Sequence, residues 1–260
     1  MISDDDRHRA AQALFQAERE RQPIPQLSTT WPQMELEDAY AIQRLVAEMK
    51  LAEGSRHIGH KIGLTSRAMQ MASNFTEPDY GHLMDDMIYA DGAAIPAARF
   101  MKPRLEVELA FVLSADLQGP GVQIYDVLRA TEFVQPALEL IDYRTHVPRQ
   151  IADTIADNAA SGALVLGGRT VRPFDVDLRW VGATLSKNGV IEESGVSAAV
   201  MGHPAAGIAW LANKLAAVGG RLLKGQLLLS GSFTRPVSVA PGDVIFTDYG
   251  PLGAIGVSIS

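Results

Sequence analysis

The chain contains no cysteine. That excludes a disulfide framework, thiolate catalysis and a zinc site built on thiolates. Basic runs are also missing: the formal charge is −7, and no cluster of Lys and Arg offsets it locally. The electrostatic footprint of a protein that grips nucleic acid or an anionic membrane is therefore absent. No stretch reaches the roughly 18 apolar residues of a membrane span, and the acidic opening MISDDDRHRAAQALFQ lacks the apolar core of a secretion signal. These absences predict a cytoplasmic protein with no nucleic-acid or membrane partner. Neither G-x-G-x-x-G nor G-x-x-x-x-G-K-[ST] occurs, so nothing supports a nucleotide cofactor. No repeat or low-complexity linker interrupts the 260 residues, and 47% hydrophobic content is ordinary for a buried core. Small-molecule chemistry is what remains.

The order of patterns predicts an α+β protein with a helical front and a mixed, β-rich body. Ser3 is placed to cap a first helix whose opening turn carries Asp4, Asp5 and Asp6, and residues 35–53 form a second helical pattern ending at Gly54. This sets a helical N-terminal cap over 1–60 against a catalytic body over 61–260. The body contains HIGHKIGL, LEVELAFVL, TEFVQPALELI, ALVLGG, LRWVGATLSKNGVIEESG and LLKGQLLLSG, apolar or alternating runs that read as strands. Asn188-Gly189 signals a tight hairpin, and Pro241-Gly242-Asp243 another turn. One long helix is expected in HPAAGIAWLANKLAAVGG, with Pro204 in its first turn and Gly219 at its end. His203 reads as a helix-start residue, and Met69, Met71 and Trp210 as core.

Three glutamates stand out. In RLEVELAF, Glu106 and Glu108 alternate with Leu105, Val107 and Leu109, and in PALELID Glu139 lies between Leu138 and Leu140. On a strand, residues two apart share a face about 6.5–7 Å apart, so Glu106 and Glu108 can lean toward one point. Such alternation commonly marks a solvated face, and spacing alone favours that reading over a metal site. Glu139 weighs against it, because Pro136, Ala137, Leu138, Leu140 and Ile141 give little sign of a wet face. Burying clustered carboxylates costs several kcal/mol. A hard cation would remove that penalty, and all-oxygen ligation favours Mg²⁺ or Mn²⁺.

Eight blocks carry a resemblance over nearly the whole chain: GHKIGLTS (59–66), EPDYG (77–81), DDM (85–87), PRLEVELAFVL (103–113), PALELID (136–142), DNAA (157–160), HPAAGIAWLANKLA (203–216) and GSFTRP (231–236). In this order they resemble the hydratase and decarboxylase branch of the fumarylacetoacetate hydrolase superfamily. The resemblance implies that Glu106, Glu108 and Glu139 hold Mg²⁺ and that Lys61 and Asp79 are the acid/base pair. It also implies a homo-oligomer acting on a small 2-oxo-enoate. GHKIGLTS and GSFTRP favour a hydratase, with the seven-carbon diacid 2-oxohept-4-ene-1,7-dioate as expected substrate in aromatic catabolism. The alternatives are a 2-oxopent-4-enoate hydratase, a 4-oxalocrotonate decarboxylase, or a non-catalytic partner subunit.

The chemistry expected is loss of a C3 proton, protonation at C5 and addition of water at C4, with negative charge on the 2-oxo oxygen that a cation can stabilise. Substrate-binding candidates are His60, Thr65, Ser161, Ser232, Thr234 and Arg235, with Arg235 offered to the distal carboxylate and Arg144 or Arg149 as its alternatives. Thr65 or Ser66 has a competing role as the cap of a helix over RAMQMAS. The segment YRTHVPRQIADTI, 143–155, is shorter and differently composed than the resemblance leads one to expect, a place where substrate preference could change.

Overall fold

The structure, a computed structural model, describes residues 1–72 and 74–260. Helices come first: α1 (Asp4–Glu20), α2 (Leu27–Thr30) and α3 (Leu36–Ala52). Next are β1 (His57–Gly63), α4 (Arg67–Ala72), β2 (Asp79–Met84), β3 (Ile88–Ala90), β4 (Ala94–Ile95) and β5 (Arg104–Leu113). The middle holds α5 (Ile124–Ala130), β6 (Thr131–Ile141), α6 (Ile151–Ala156), β7 (Ser161–Leu166), β8 (Gly182–Lys187) and β9 (Val190–Val196). The chain closes with α7 (Ala205–Ala216), β10 (Leu227–Leu229), β11 (Val237–Ser238), β12 (Val244–Asp248) and β13 (Ala254–Ile259). This is the expected α+β class.

The helical front forms for the reasons its sequence suggests. The Ser3 hydroxyl accepts the Asp6 N–H at 3.1 Å, three aspartates fill the positive end of α1, and Gly54 takes φ +102° just past α3. Apolar faces of α1 and α3 meet over Ala10, Leu14, Ile42 and Val46, in a cluster that also takes Ile155 and Ala156 of α6. Asp38 is fully buried there, accepting the backbone N–H groups of Ile2 and Glu35 while paired with Arg7. Beyond α4 the short α2, α5 and α6 and several strands carried no readable signal.

Strands divide into two sheets. One runs β2-β1-β10-β5-β6-β7-β3, with β11 pairing to the first residues of β5, and the other runs β4-β13-β12-β8-β9. Alternation decides the faces of the first: Leu105, Val107, Leu109 and Phe111 are buried in the main core, while Glu106, Glu108 and Ala110 turn the other way. Helix α7 packs its buried Ile208, Leu211 and Ala212 into that core.

Some expectations shift. Asn188 and Gly189, both at positive φ, turn the β8–β9 hairpin as expected. Helix α7 stops at Ala216, so Gly219, at φ +74°, lies in the turn beyond rather than at the cap. The His203 imidazole accepts the Ala205 N–H at 3.0 Å at the start of α7. Trp210 packs against the core, but Met71 is 71% exposed and Met69 is exposed too. The reason is that α4 lies over the mouth of a cavity instead of inside the core. Ser66 Oγ, not Thr65, caps α4 through the Met69 N–H, and Ser73 of the RAMQMAS stretch lies outside the described residues.

Candidate active site

The site starts from the register of β5 on β6. Glu106 stands directly opposite Glu139 in an antiparallel pair, which brings side chains within contact range, and Glu108 follows on the same face. One carboxylate oxygen from each glutamate lies within 4.8 Å of the other two. Glu139 is completely buried, and neither of its oxygens has a hydrogen-bond partner. Glu108 accepts the Gly231 N–H at 2.9 Å; Gly231 has φ +109° and packs so closely on Thr65 that a Cβ would collide with its side chain.

Burial and mutual repulsion set the electrostatics. Burial pushes the Glu106 carboxyl up to about 7, helped by Glu139 and opposed by Lys61. Glu108 is driven well above the ordinary carboxylate range by burial, with Glu139 and Glu106 adding to it. Glu139 is raised by burial in spite of Lys61 beside it. Three clustered carboxylates with raised pKa values, Glu108 and Glu139 buried, Glu106 half-buried and both Glu139 oxygens unpartnered, are the donor set a hard divalent cation requires, so the residues fit such an ion.

Lys61 sits near the end of β1, 4% exposed, its Nζ 3.4 Å from Glu139 Oε2. Burial alone would lower its pKa, but Glu139, Asp79, Glu106 and Glu108 together outweigh burial and hold the ammonium protonated. Nζ also donates to the Ala159 carbonyl at 2.9 Å. That carbonyl is presented by an unusual turn in which Asn158, Ala159 and Ala160 all have positive φ, at 53°, 50° and 62°. A left-handed non-glycine residue costs about 1–2 kcal/mol, so this backbone is held by its surroundings. Asn158 supplies the hold, exchanging two hydrogen bonds with His82 of β2, and buried Asp157 pairs with Arg144.

Asp79 opens β2 opposite Gly63, with Oδ1 buried and unpartnered. Burial raises it to about 6, the Lys61 charge pulling the other way. A Cβ on Gly63 would strike Asp79 Oδ1 and crowd Lys61 Nζ. Glycine is thus what lets the two groups meet.

Lys61, Asp79, Glu106 and Glu108 line one cavity of about 350 Å³, with Glu139 fully buried beside them. Arg104 and Arg149 line it too, their guanidinium carbons 5.6 and 3.5 Å from the Tyr143 ring centroid. Ile62, Ile141, Val147 and Ile151 make the lining partly apolar. Among the described residues no helix is long and apolar enough to cross a membrane.

The fumarylacetoacetate (FAA) hydrolase C-terminal family matches residues 38–259. The chain belongs to the fumarylacetoacetate hydrolase family. It is 53% identical over 252 residues to the 2-oxo-hept-4-ene-1,7-dioate hydratase of Escherichia coli, covering 94% of each chain. It is 44% identical over 235 residues to the 2-hydroxyhexa-2,4-dienoate hydratase of Comamonas testosteroni, covering 89% of each. Among solved structures it superposes on the 4-oxalocrotonate decarboxylase of Pseudomonas putida G7, complexed with magnesium and adipate, with a TM-score of 0.98, 34% identity and coverage of 100% and 99%.

Within this family member the residues singled out from sequence separate into groups. Glu106, Glu108, Glu139, Lys61 and Asp79 converge, and Thr65, Ser232 and Thr234 line the same cavity. Ser232 Oγ is engaged with the backbone carbonyls of Val107 and Thr234. Ser161 lies beside Glu139, its hydroxyl buried and without a hydrogen bond of ordinary geometry. Two candidates are placed elsewhere. His60 neighbours Lys61 on β1 and therefore points to the opposite face of the sheet, where it meets His57 and His82. Arg235 is 83% exposed and paired with Glu193 at 2.8 Å, outside the cavity. Arg144 is tied up with Asp157, leaving Arg149 as the alternative that lines the cavity. Arg104 and Tyr143, which also line the cavity, were not among the residues singled out from sequence. For Arg104 the signal was available: it is two residues before Glu106 and shares its face.

Proposed function

We propose that this protein is a metal-dependent hydro-lyase that adds water to 2-oxohept-4-ene-1,7-dioate, giving 4-hydroxy-2-oxoheptanedioate. The observation that carries the reading is one cavity at which a carboxylate triad, a buried Lys61–Asp79 pair and two guanidinium groups come together. The relatives named hydratases support it, as does the decarboxylase holding adipate, itself a dicarboxylate.

Glu106, Glu108 and Glu139 would hold Mg²⁺ or Mn²⁺, which when bound supplies Lewis acidity toward the oxygens of a 2-oxo acid. The remaining work falls to the chain's own groups. Asp79, with a pKa raised to about 6 by burial, is poised near neutrality to take a proton from C3 and return one at C5. Lys61 holds positive charge beside Glu139 and keeps an N–H available toward the oxygen on which charge develops. Arg149, its Nη1 buried without a hydrogen-bond partner and 3.7 Å from Asp157, takes the distal carboxylate, with Arg104 as second cation. Thr65 and Thr234 orient the substrate, and Ile62, Ile141 and Ile151 exclude bulk water.

The same reading makes the chain a cytoplasmic homo-oligomer in aromatic catabolism. Support for self-association is the apolar outer face of the five-stranded sheet, where Phe246 pairs with Ser186 and Ser186 with Ile191, and Val244 shares their face, all three apolar side chains more than half exposed. A division into a helical segment, 1–60, and a catalytic body, 61–260, is supported by the apolar packing of α1 on α3, in a cluster distinct from the main core and joined to the body through α6.

Purified protein with Mg²⁺, given the seven-carbon diacid, 2-oxopent-4-enoate and 4-oxalocrotonate, tests the reading by following diene absorbance and CO₂. Hydration of the diacid without CO₂ is expected. Predominant CO₂ release from 4-oxalocrotonate would make it a decarboxylase instead, and no turnover of any substrate would favour a non-catalytic partner.

A further inference from the structure

Behind the catalytic face, β1 and β2 carry a second cluster that the hydration chemistry does not use. His60 and His82 are directly opposite each other in the antiparallel pair, and His57 joins them. By strand parity His57 and His60, three apart, belong on opposite faces. A register shift between His57 and Gly59 reverses that parity and brings the His57 ring within 4.7 Å of the His60 ring. Bulges serve to re-aim side chains in this way. Gly59 makes the irregularity possible, because a Cβ there would run into the Leu227 carbonyl of β10.

The three rings form a closed set. His57 to His82 and His60 to His82 are both 5.2 Å between centroids. One nitrogen from each ring lies within 4.8 Å of the other two. His57 Nε2 and His82 Nδ1 are 3.2 Å apart, close to the separation of about 3.3–3.4 Å between two nitrogens bound tetrahedrally to one zinc ion at 2.0–2.1 Å. The remaining pairs need close by no more than about 1.4 Å to reach that geometry. Two further nitrogens, His60 Nδ1 and His82 Nε2, are buried without any hydrogen-bond partner. Burial also lowers the pKa of all three imidazoles, which leaves their lone pairs free at neutral pH. His57 and His82 are only half-buried on the edge side of the sheet, so an ion has a route in.

We propose that His57, His60 and His82 form a second metal site, selective for a borderline divalent cation such as Zn²⁺ or Co²⁺ and distinct from the carboxylate triad. Imidazole suits these ions and not Mg²⁺, for which the triad is the better host. An ion here clamps β1 to β2, the two strands that present Lys61 and Asp79 on the other face.

The test uses Mg²⁺-saturated protein dialysed against Zn²⁺, with bound metal quantified and the zinc environment read by X-ray absorption. One Zn²⁺ per chain with nitrogen ligands is expected from wild type. His57→Asn and His82→Asn should each weaken zinc binding by more than the roughly 10–100-fold that loss of an outer-shell partner costs, while Glu108→Gln should retain it. Circular dichroism checks that the variants fold, and Co²⁺ absorption of wild type gives a reading independent of any variant. The proposal is overturned if wild type in excess Mg²⁺ retains no zinc, if zinc has only oxygen ligands, or if Glu108→Gln removes it while both histidine variants keep it.

Discussion

Replacing Glu106 by Gln should change stability in opposite directions with and without metal. In the metal-free protein, oxygens of Glu106, Glu108 and Glu139 lie within 4.8 Å of one another. Two full charges at that separation repel by about 3–4 kcal/mol at an effective dielectric constant near 20. Burial already keeps the Glu106 carboxyl partly protonated near neutrality, its pKa being raised to about 7, so the realised relief is smaller, about 1–3 kcal/mol. At roughly 2–4 °C per kcal/mol for a chain of this size, Glu106→Gln in EDTA should melt several degrees above wild type. With magnesium the order reverses. Wild type gains about 4.1 kcal/mol at a ligand concentration about 1,000 times Kd, more than the relief, whereas the variant, lacking one ligand charge, gains little. Calorimetric melting of both proteins in EDTA and in Mg²⁺ reads the crossing directly. A glutamate with a purely structural role would lower stability in both conditions, and that parallel loss, with the magnesium increment intact, would refute the metal-site reasoning.

Lys61→Ala and Asp79→Ala should fold by circular dichroism and yet lose roughly 100-fold or more in kcat, the scale for a positioned acid or base; near-wild-type turnover in steady-state assays removes that residue from the chemistry. Arg149→Met should raise KM for the diacid roughly 10- to 150-fold, equivalent to about 1.5–3 kcal/mol for hydrogen bonding to a charged group, and leave the monoacid nearly unchanged, while Arg235→Met should change neither. For Asp38, burial pushes the carboxyl up, but the backbone N–H of Glu35, the Arg7 guanidinium and the Ile2 N–H hold it below its ordinary value. Its stabilisation is therefore complete above the ordinary carboxylate pKa and is lost as pH falls through the depressed folded value. Asp38→Asn should lower the urea midpoint at pH 7 by an amount worth about 1–3 kcal/mol and flatten the acid limb of the stability curve; an unchanged acid limb would contradict this assignment.

The sequence by itself determined whatever depends on neighbours along the chain. Alternation in LEVEL settled that Leu105 and Val107 go one way and Glu106 and Glu108 the other, Ser3 and its aspartates settled the start of α1, and Asn188-Gly189 settled the hairpin. That Glu106 and Glu108 share a face was legible because period-2 geometry is a local fact, but spacing alone favoured a solvated face, and only the family resemblance implied a metal site. Only tertiary structure decided which strands lie side by side. Nothing between residues 108 and 139 reveals that Glu139 pairs with Glu106, or that the left-handed turn at Asn158–Ala160 delivers a carbonyl to Lys61 from a hundred residues away. Parity explains why His60 left the site its neighbour Lys61 entered, and an ion pair with Glu193, 42 residues distant, explains why Arg235 stayed outside. Arg149 lines the cavity that Arg235 does not reach because the start of α6 and the loop before it line that cavity as well. Long-range pairing is set by the sum of many weak packing contacts distributed over the core, and no single motif encodes that sum.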